Sequence, residues 1–305
     1  MLTEPGRYAY LPLIDRPKIT WPNGARVAFW VAPNIEFYEL EPTKGPVPVW
    51  PRPAPDILHY AQRDYGNRAG VWRMMEVMER FGVRGSVSLN AAVCDHIPDI
   101  IDACVRLKWE LFSHGIYNTR LIYGMDEDQV REVIRDSVDT IRARSGLKVH
   151  GWLAPALSST ETFFDLLPEF GIEYTLDMVP DDQPVPIKVR KGRLISIPYS
   201  TEINDVRILN YRGYAPQQYA SMVKASFDQL YGEGAENGMV VCMPLHPFVI
   251  GHPHRIVALA DILRHVTSHE GVWLATAREI SDWYYAHHYD AVTAFLASAE
   301  RAGKR

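Results

Sequence analysis

The stretch WELFSHGIYNTR, residues 109–120, is a short apolar run that ends in a histidine and a glycine. An apolar run of this length, bounded by glycine, predicts a buried β-strand that ends at His114. A second histidine four residues further on would indicate a metal-binding pair, but that position holds Asn118. The sequence therefore predicts a functional residue at a strand end, in a site that differs from a simple histidine pair.

Outward from this strand, segments of two types alternate along the chain. ARVAFWVAPN (25–34) predicts another buried strand, whereas GNRAGVWRMMEVMERFG (66–82) has apolar residues at helical spacing and a closing glycine. Strands and helices alternate about seven times, which favours parallel βαβ units. Because no Gly-rich dinucleotide loop is present, an α/β barrel is favoured over an open sheet, with its chemistry at the carboxyl ends of the strands. The stretch 183–210 is predicted to be extended.

Composition limits the classes of function. The chain has 305 residues, 47% of them hydrophobic, and a net charge of −5. That length allows a large core, and the negative charge argues against nucleic-acid binding. No apolar run reaches the roughly 18 residues of a membrane span, and the start of the chain has no signal-peptide pattern. The three cysteines lack disulfide or metal spacing, so we expect a soluble, cytoplasmic protein.

Candidate site residues stand where five predicted strands end. They are Asn34 and Glu36, His114, Pro155, Asp177 with Asp181 and Asp182 beyond it, and His246 with Pro247. Each has an ordinary structural explanation when taken alone, and Asp181–Asp182 also fit a turn. Their joint occurrence favours convergence of Glu36, His114 and His246, which could bind a divalent metal or carry out acid–base chemistry.

At these residues the chain resembles the polysaccharide deacetylase (NodB-homology) superfamily, and in particular the branch of PuuE-type allantoinases, cyclic imide hydrolases and peptidoglycan-deacetylase-like proteins. The matching stretches are NIEFYE (34–39), DYGNRAGVWRMMEVMERFGVRGSVSLNA (64–91), WELFSHGIYNTR (109–120), GWLAPALS (151–158), PYSTEIND (198–205) and LHPFVIGHPHR (245–255). The resemblance covers about residues 20–290 of a single domain spanning 1–305. It implies a distorted (β/α)7 barrel that hydrolyses a C–N bond, by N-deacetylation or by opening a cyclic amide.

The chain departs from the family's motifs at three positions. The family's general base and first metal ligand correspond to Asn34 and Glu36, and an asparagine amide does not accept a proton near neutral pH. The family's two metal-binding histidines correspond to His114 and Asn118, and an amide oxygen is a poor zinc ligand. In the third motif, Leu153 stands where the family usually has an arginine.

The first hypothesis is a hydrolase of a small cyclic amide, imide or ureide. Glu36 and His114, with Asn118 completing the shell, would hold one divalent metal such as zinc or would position the water themselves, so metal-dependent and metal-independent reactions both remain open. His246 would protonate the departing nitrogen, or act as base in place of Asn34. The predicted substrate-binding residues are Tyr38, Trp152, Pro155, Glu202, Asn204 and Asp205. In an extended segment only one of the last two can face the pocket.

Two alternatives stay open: a metal-dependent N-deacetylase of an acetylated saccharide or small molecule, and a catalytically inactive barrel that binds a ligand. The proline-rich stretch 41–56, with Trp50, is predicted to form an ordered loop or flap. Together with Tyr38, Tyr117 and Trp152 it fits a small planar ring better than a long sugar chain, although aromatic residues at such places also fit a core. The resemblance further implies a small-molecule substrate and a homo-oligomer such as a tetramer, and no nucleic-acid or membrane partner is expected.

Overall fold

A curled sheet of mostly parallel strands forms the centre of the molecule. The computed structural model describes residues 6–42 and 54–301. Most of the predicted flap, 41–56, lies outside the described residues, and so does its Trp50. The strands are Val27–Ile35 (β1), Ser86–Leu89 (β2), Glu110–Ser113 (β3), Gly151–Trp152 (β4), Tyr174–Thr175 (β5), Val185–Ile187 (β6), Leu194–Ser196 (β7), Met239–Leu245 (β8) and Val272–Leu274 (β9).

Helices follow most of the strands and pack on the outer face of the sheet. The α-helices are Ile57–Tyr65 (α1), Val71–Arg80 (α2), Ala92–His96 (α3), Pro98–Arg106 (α4), Glu127–Ser145 (α5), Phe163–Leu166 (α6), Pro216–Glu233 (α7), Pro247–Ile250 (α8), Ile256–Thr267 (α9), Ala277–His287 (α10) and Tyr289–Arg301 (α11). There are also two π-helical segments, Gly66–Gly70 and Val206–Tyr211, and three short 3-10 segments, Pro22–Gly24, Pro155–Leu157 and Leu167–Phe170.

The strand order explains the barrel shape. It runs β6-β7-β5-β4-β3-β2-β1-β8, with β9 pairing beside the amino half of β1. All pairs are parallel except β6 with β7. A backbone hydrogen bond of 2.9 Å from Val240 of β8 to Asp182, just before β6, joins the two ends of the sheet. The predicted α/β fold of the distorted (β/α)7 barrel type is confirmed.

Alternation along β1 separates two cores. Val27, Phe29 and Val31 face the outer helices, whereas Ala28 and Trp30 face the barrel interior. All nine residues of β1 and all seven of β8 are buried, as expected for parallel strands covered on both faces. The apolar runs that predicted these strands therefore reflect burial on both sides of the sheet.

Two boundary predictions were wrong. The helical run predicted to begin at Gly66 already begins with α1 at Ile57 and continues through the π-helical segment Gly66–Gly70 into α2. Asp56 caps its start by accepting a hydrogen bond of 3.3 Å from the His59 backbone nitrogen. The stretch 183–210 contains β6 and β7 but ends in the helical segment Val206–Tyr211. No helix of the described residues is both long and apolar enough to cross a membrane.

Candidate active site

The structure brings three of the predicted residues together at one edge of the sheet. Glu36 follows β1, His114 follows β3 and His246 follows β8, and these strands lie in the order β3, β2, β1, β8. Parallel strands end at the same edge, so these side chains converge there. They are 7%, 4% and 6% exposed respectively, which makes the surroundings strongly desolvated.

His246 is held between two carboxylates. Its Nδ1 lies 2.7 Å from Oδ1 of Asp205, and its backbone N–H donates to Oδ2 of the same carboxylate at 2.8 Å. On the other side of the ring, Nε2 lies 3.4 Å from Oε1 of Glu36. Asp205 was predicted to contact substrate, but it is fully buried and lies behind His246. Its observed contacts make it the residue that orients the imidazole.

The charges of this group determine its protonation. Burial disfavours a charged imidazole, but the carboxylate of Asp205 and the hydrogen bonds to Asp205 and Glu36 outweigh it and raise the pKa of His246 to about 9. Burial also raises the pKa of Glu36, but the hydrogen bond with His246 and the positive charges of His246 and Arg63 lower it to about 2. At neutral pH His246 is therefore an imidazolium that can donate a proton from Nε2.

His114 is held in the opposite protonation state. Its Nδ1 lies 2.7 Å from the backbone oxygen of Leu153. Because a carbonyl oxygen only accepts, Nδ1 carries the proton and Nε2 keeps a lone pair. Burial lowers the pKa of His114, and the negative charge of Glu36 offsets this only in part. His114 is neutral at neutral pH, with Nε2 able to accept a proton or to bind a metal.

The main chain around His114 is fixed by its neighbours. Asn90, directly after β2, donates from Nδ2 to the His114 backbone oxygen at 2.5 Å and accepts from the Phe37 backbone nitrogen at 3.0 Å. Gly115 follows with a φ of +69°, and a Cβ there would lie 3.3 Å from Cγ of Pro155. Glycine adopts this left-handed conformation without strain, so the turn that aims His114 depends on it.

Arg63, on α1, supplies a cation that sequence analysis missed. Its Nε lies 3.4 Å from Oε2 of Glu36, and its guanidinium donates to the Tyr38 hydroxyl at 3.0 Å. The guanidinium carbon lies 3.9 Å from the centre of the Tyr38 ring and 4.0 Å from that of Phe248. Asn67, one helical turn later, donates to the Glu36 backbone oxygen at 2.9 Å. These contacts fix both the backbone and the carboxylate of Glu36.

Two glycines allow this helix to approach the site. In the π-helical segment Gly66–Gly70, a Cβ at Gly66 would lie 2.6 Å from the Phe248 nitrogen, and one at Gly70 would lie 2.0 Å from the Pro247 oxygen. No larger residue fits such backbone contacts, and π-helical insertions are common at functional sites. The four-residue spacing of Arg63 and Asn67 was the available sequence signal, but the predicted helix began too late to include Arg63.

Asn34, which the resemblance places at the position of a general base, makes structural contacts in this fold. Its Nδ2 donates to the backbone oxygens of Ala32 and Leu245, at 3.1 and 3.2 Å. Its Oδ1 accepts from the hydroxyl of Tyr199 at 3.2 Å. The amide thus joins β1 to β8 and to the segment after β7, and these bonds occupy both ends of the side chain.

The available donors fit a zinc site poorly. Within residues 6–42 and 54–301, Glu36, His114 and His246 do not bring three ligand atoms within 4.8 Å of one another. The Glu36 carboxylate already lies between the cations Arg63 and His246. Asn118 donates from Nδ2 to the Tyr38 hydroxyl at 2.8 Å, and its side chain is also a hydrogen-bonding neighbour of His114. Zinc prefers three or four Cys, His or carboxylate ligands, so this set is too weak.

The remaining predicted residues lie elsewhere. Trp152 was predicted to bind substrate; its ring is fully buried and packs against Phe163, with centroids 5.5 Å apart. The Glu202 side chain is 72% exposed and lies 3.9 Å from Arg212. Asn204 accepts a hydrogen bond from the Val206 backbone nitrogen at the start of a helical turn. Asp177 accepts one from the Ala154 backbone nitrogen. Asp181 forms an ion pair with Arg16, and the backbone oxygen of Asp182 accepts a hydrogen bond from Val240 of β8.

Comparison with known proteins agrees with this geometry. No protein-family model matches the chain. A Schizosaccharomyces pombe protein assigned as a polysaccharide deacetylase is 25% identical over 302 residues, covering 89% of this chain and 94% of that protein. The crystal structure of PuuE allantoinase matches with a TM-score of 0.79 and 26% identity, over 90% of this chain and 95% of that one.

A second solved structure is similar to the same extent. It is a Pseudomonas aeruginosa protein assigned as a polysaccharide deacetylase, with a TM-score of 0.79 and 26% identity over 90% of this chain and 96% of that one. These proteins match nearly the whole chain. The predicted resemblance to the polysaccharide deacetylase (NodB-homology) superfamily is therefore confirmed, and these relatives are assigned as deacetylases and an allantoinase, which hydrolyse carbon–nitrogen bonds other than peptide bonds.

Proposed function

We propose that the protein opens a small cyclic amide, imide or ureide by adding water across one ring C–N bond. The observation that carries this proposal is the pair of buried histidines, His114 and His246, held in opposite protonation states beside Glu36. Titratable groups whose surroundings push their pKa values apart are the usual acid and base of such a site. The likeness to PuuE allantoinase supports this chemical class.

Each histidine has one task in the proposed reaction. Nε2 of neutral His114 takes a proton from water as the water oxygen bonds to the ring carbonyl carbon. Nε2 of protonated His246 gives its proton to the ring nitrogen as the C–N bond breaks. The product is an open-chain carboxylic acid that keeps the former ring nitrogen as an amine, amide or urea group. The proton on His114 then passes through solvent to restore His246.

The charged groups around the histidines keep them in these states. Asp205 and Glu36 hold the proton on His246, and Arg63 lies against the remaining face of the Glu36 carboxylate. Two carboxylates are thus matched by two cations, so an uncharged substrate leaves no buried charge unpaired. Both proton transfers use groups of the chain itself.

N-Deacetylation is the second candidate. The likeness to a protein assigned as a polysaccharide deacetylase favours it, and the same acid and base could cleave an acetamide. The two reactions differ in their products, since ring opening adds one water to a single molecule whereas deacetylation releases acetate.

A product assay tests the proposal. The purified full-length protein is incubated with allantoin, hydantoin and succinimide, and in parallel with N-acetylglucosamine oligomers, with and without a chelator. Ring opening, read by mass spectrometry as a gain of water and unaffected by the chelator, is the expected result. Acetate release from the oligomers alone would overturn the cyclic-amide proposal in favour of deacetylation. No turnover on either set, together with binding of a cyclic ligand, would favour an inactive ligand-binding barrel.

Two further expectations belong to this proposal. We propose a cytoplasmic enzyme, in keeping with Cys94, Cys104 and Cys242, which are buried and free. We also propose a homo-oligomer such as a tetramer with a small-molecule substrate. Light scattering coupled to size-exclusion chromatography measures the assembly directly, and a mass of one chain at assay concentration would contradict it.

A further inference from the structure

We propose that Asp228, His265 and His269 form a second functional site, which binds a divalent transition-metal ion such as Zn²⁺. These residues lie on the outside of the barrel. Among the described residues they are the one group of three or more His, Cys, Asp or Glu side chains whose ligand atoms all lie within 4.8 Å of one another. One carboxylate and two imidazoles are a ligand set that zinc and its neighbours in the first transition row accept.

The position of this group separates it from the candidate active site. Asp228 lies in the last turns of α7, which precedes β8, and His265 lies at the end of α9, which precedes β9. A helix that precedes a parallel strand ends near that strand's amino end. The cluster therefore lies at the opposite end of the barrel from His246, so metal binding there is independent of the proposed hydrolysis.

The local hydrogen bonds prepare the imidazoles for a metal. Nδ1 of His269 lies 2.8 Å from the backbone oxygen of His265. Since that oxygen only accepts, Nδ1 carries the proton and Nε2 keeps its lone pair. Metal-bound histidines commonly donate their other ring N–H to a carbonyl in this way. Nε2 of His265 lies 2.6 Å from Oδ1 of Asp228, so a metal ion would replace the proton that these two atoms share.

Aromatic packing restricts the rings before any metal arrives. The ring of Phe227 meets His265 edge-on at 5.7 Å between centroids and His269 at 5.1 Å. The ring of Tyr231 lies 5.0 Å from that of His269. Rings held in place lose less side-chain entropy when they bind a ligand. The Asp228 side chain remains 53% exposed, which gives the ion a path of entry and leaves room for water as a further ligand.

Metal titration of the full-length protein tests this site. Chelator-treated protein is titrated with Zn²⁺ by calorimetry and with Co²⁺ by visible absorption, beside the variants His269→Ala, His269→Gln and Asp228→Asn. The controls are His287→Ala, an exposed histidine on α10, and His114→Ala in the candidate active site. Changes around a metal's ligands already cost about 10–100-fold in affinity, so loss of a ligand should cost at least about tenfold.

The outcomes are distinct. We expect wild type, His287→Ala and His114→Ala to bind one ion equally and the three cluster variants to lose at least about tenfold in affinity. Zinc should also raise the Tm of wild type by a few degrees, because the ion joins α7 to α9 and binds only the folded state. Equal binding by the cluster variants, loss only in His114→Ala, or no binding by wild type would each overturn the proposal. Circular dichroism of His269→Gln separates loss of a ligand from loss of the fold.

Discussion

Replacing Asp205 with asparagine tests the acid–base assignment most directly. The native carboxylate accepts from both the ring and the backbone of His246, at 2.7 and 2.8 Å. With Glu36 it raises the pKa of His246 from an ordinary 6.5 to about 9. A rise of that size corresponds to about 3 kcal/mol in favour of the imidazolium. Asparagine has nearly the same shape but no charge, so most of this contribution should disappear.

The expected result is a change in both rate and pH profile. Since His246 must be protonated to act as acid, wild-type kcat/KM should hold as pH rises and fall only as pH passes about 9. In Asp205→Asn the alkaline limb should move down toward or below neutral pH, and kcat at pH 8 should fall about 10²- to 10⁴-fold, the usual size of a general-acid contribution. Hydrolysis of the best substrate, measured from pH 5 to 10, gives both quantities.

A matched control and a stability measurement complete the test. Asp139→Asn, on the exposed face of α5 beside Arg142, should leave the profile unchanged. The raised pKa of His246 also stabilises the fold; that contribution is complete below pH 6.5 and is lost as pH rises through about 9. The free energy of unfolding of Asp205→Asn should therefore fall below that of wild type mainly at pH values under 6.5, and the difference should shrink as pH rises toward about 9. An alkaline limb at the wild-type position, with activity within about threefold, would refute His246 as an acid tuned by Asp205.

Three further predictions concern neighbouring residues. His114→Gln should lower kcat about 10²- to 10⁴-fold with a smaller effect on KM, because it removes the proposed base; unchanged kcat would remove His114 from the mechanism. Arg63→Gln should raise the pKa of Glu36 and lower kcat/KM, because it removes a positive charge beside that carboxylate. Arg63→Lys should restore little of the lost kcat/KM, because an ammonium cannot replace a stacked guanidinium. Full recovery of kcat/KM with lysine would contradict that reasoning. Gly115→Ala should cost about 1–2 kcal/mol in urea unfolding, since it forces a left-handed conformation beside Pro155, and an unchanged unfolding midpoint would contradict this.

The sequence was most informative where function follows strand position. Glu36, His114 and His246 each follow an apolar run, and in a parallel barrel the carboxyl ends of such runs meet at one edge. Residues far apart in the chain could therefore be assigned to a common site before any contact was known. The exchanges at Asn34, Asn118 and Leu153 were also visible in the sequence, and they indicated a site unlike the family's usual metal centre.

The sequence by itself thus indicated the barrel, the family that the chain resembles and the convergence of three side chains, because burial on both faces of parallel strands leaves long apolar runs with polar ends. Only the tertiary structure decided what those side chains do. Arg63 reaches Glu36 because two glycines let a helix pack against the segment after His246, and Asp205 reaches His246 because its segment turns into a helix. The protonation of His114 and His246 depends on burial and on charges brought in from distant parts of the chain, and no local pattern of residues encodes such surroundings.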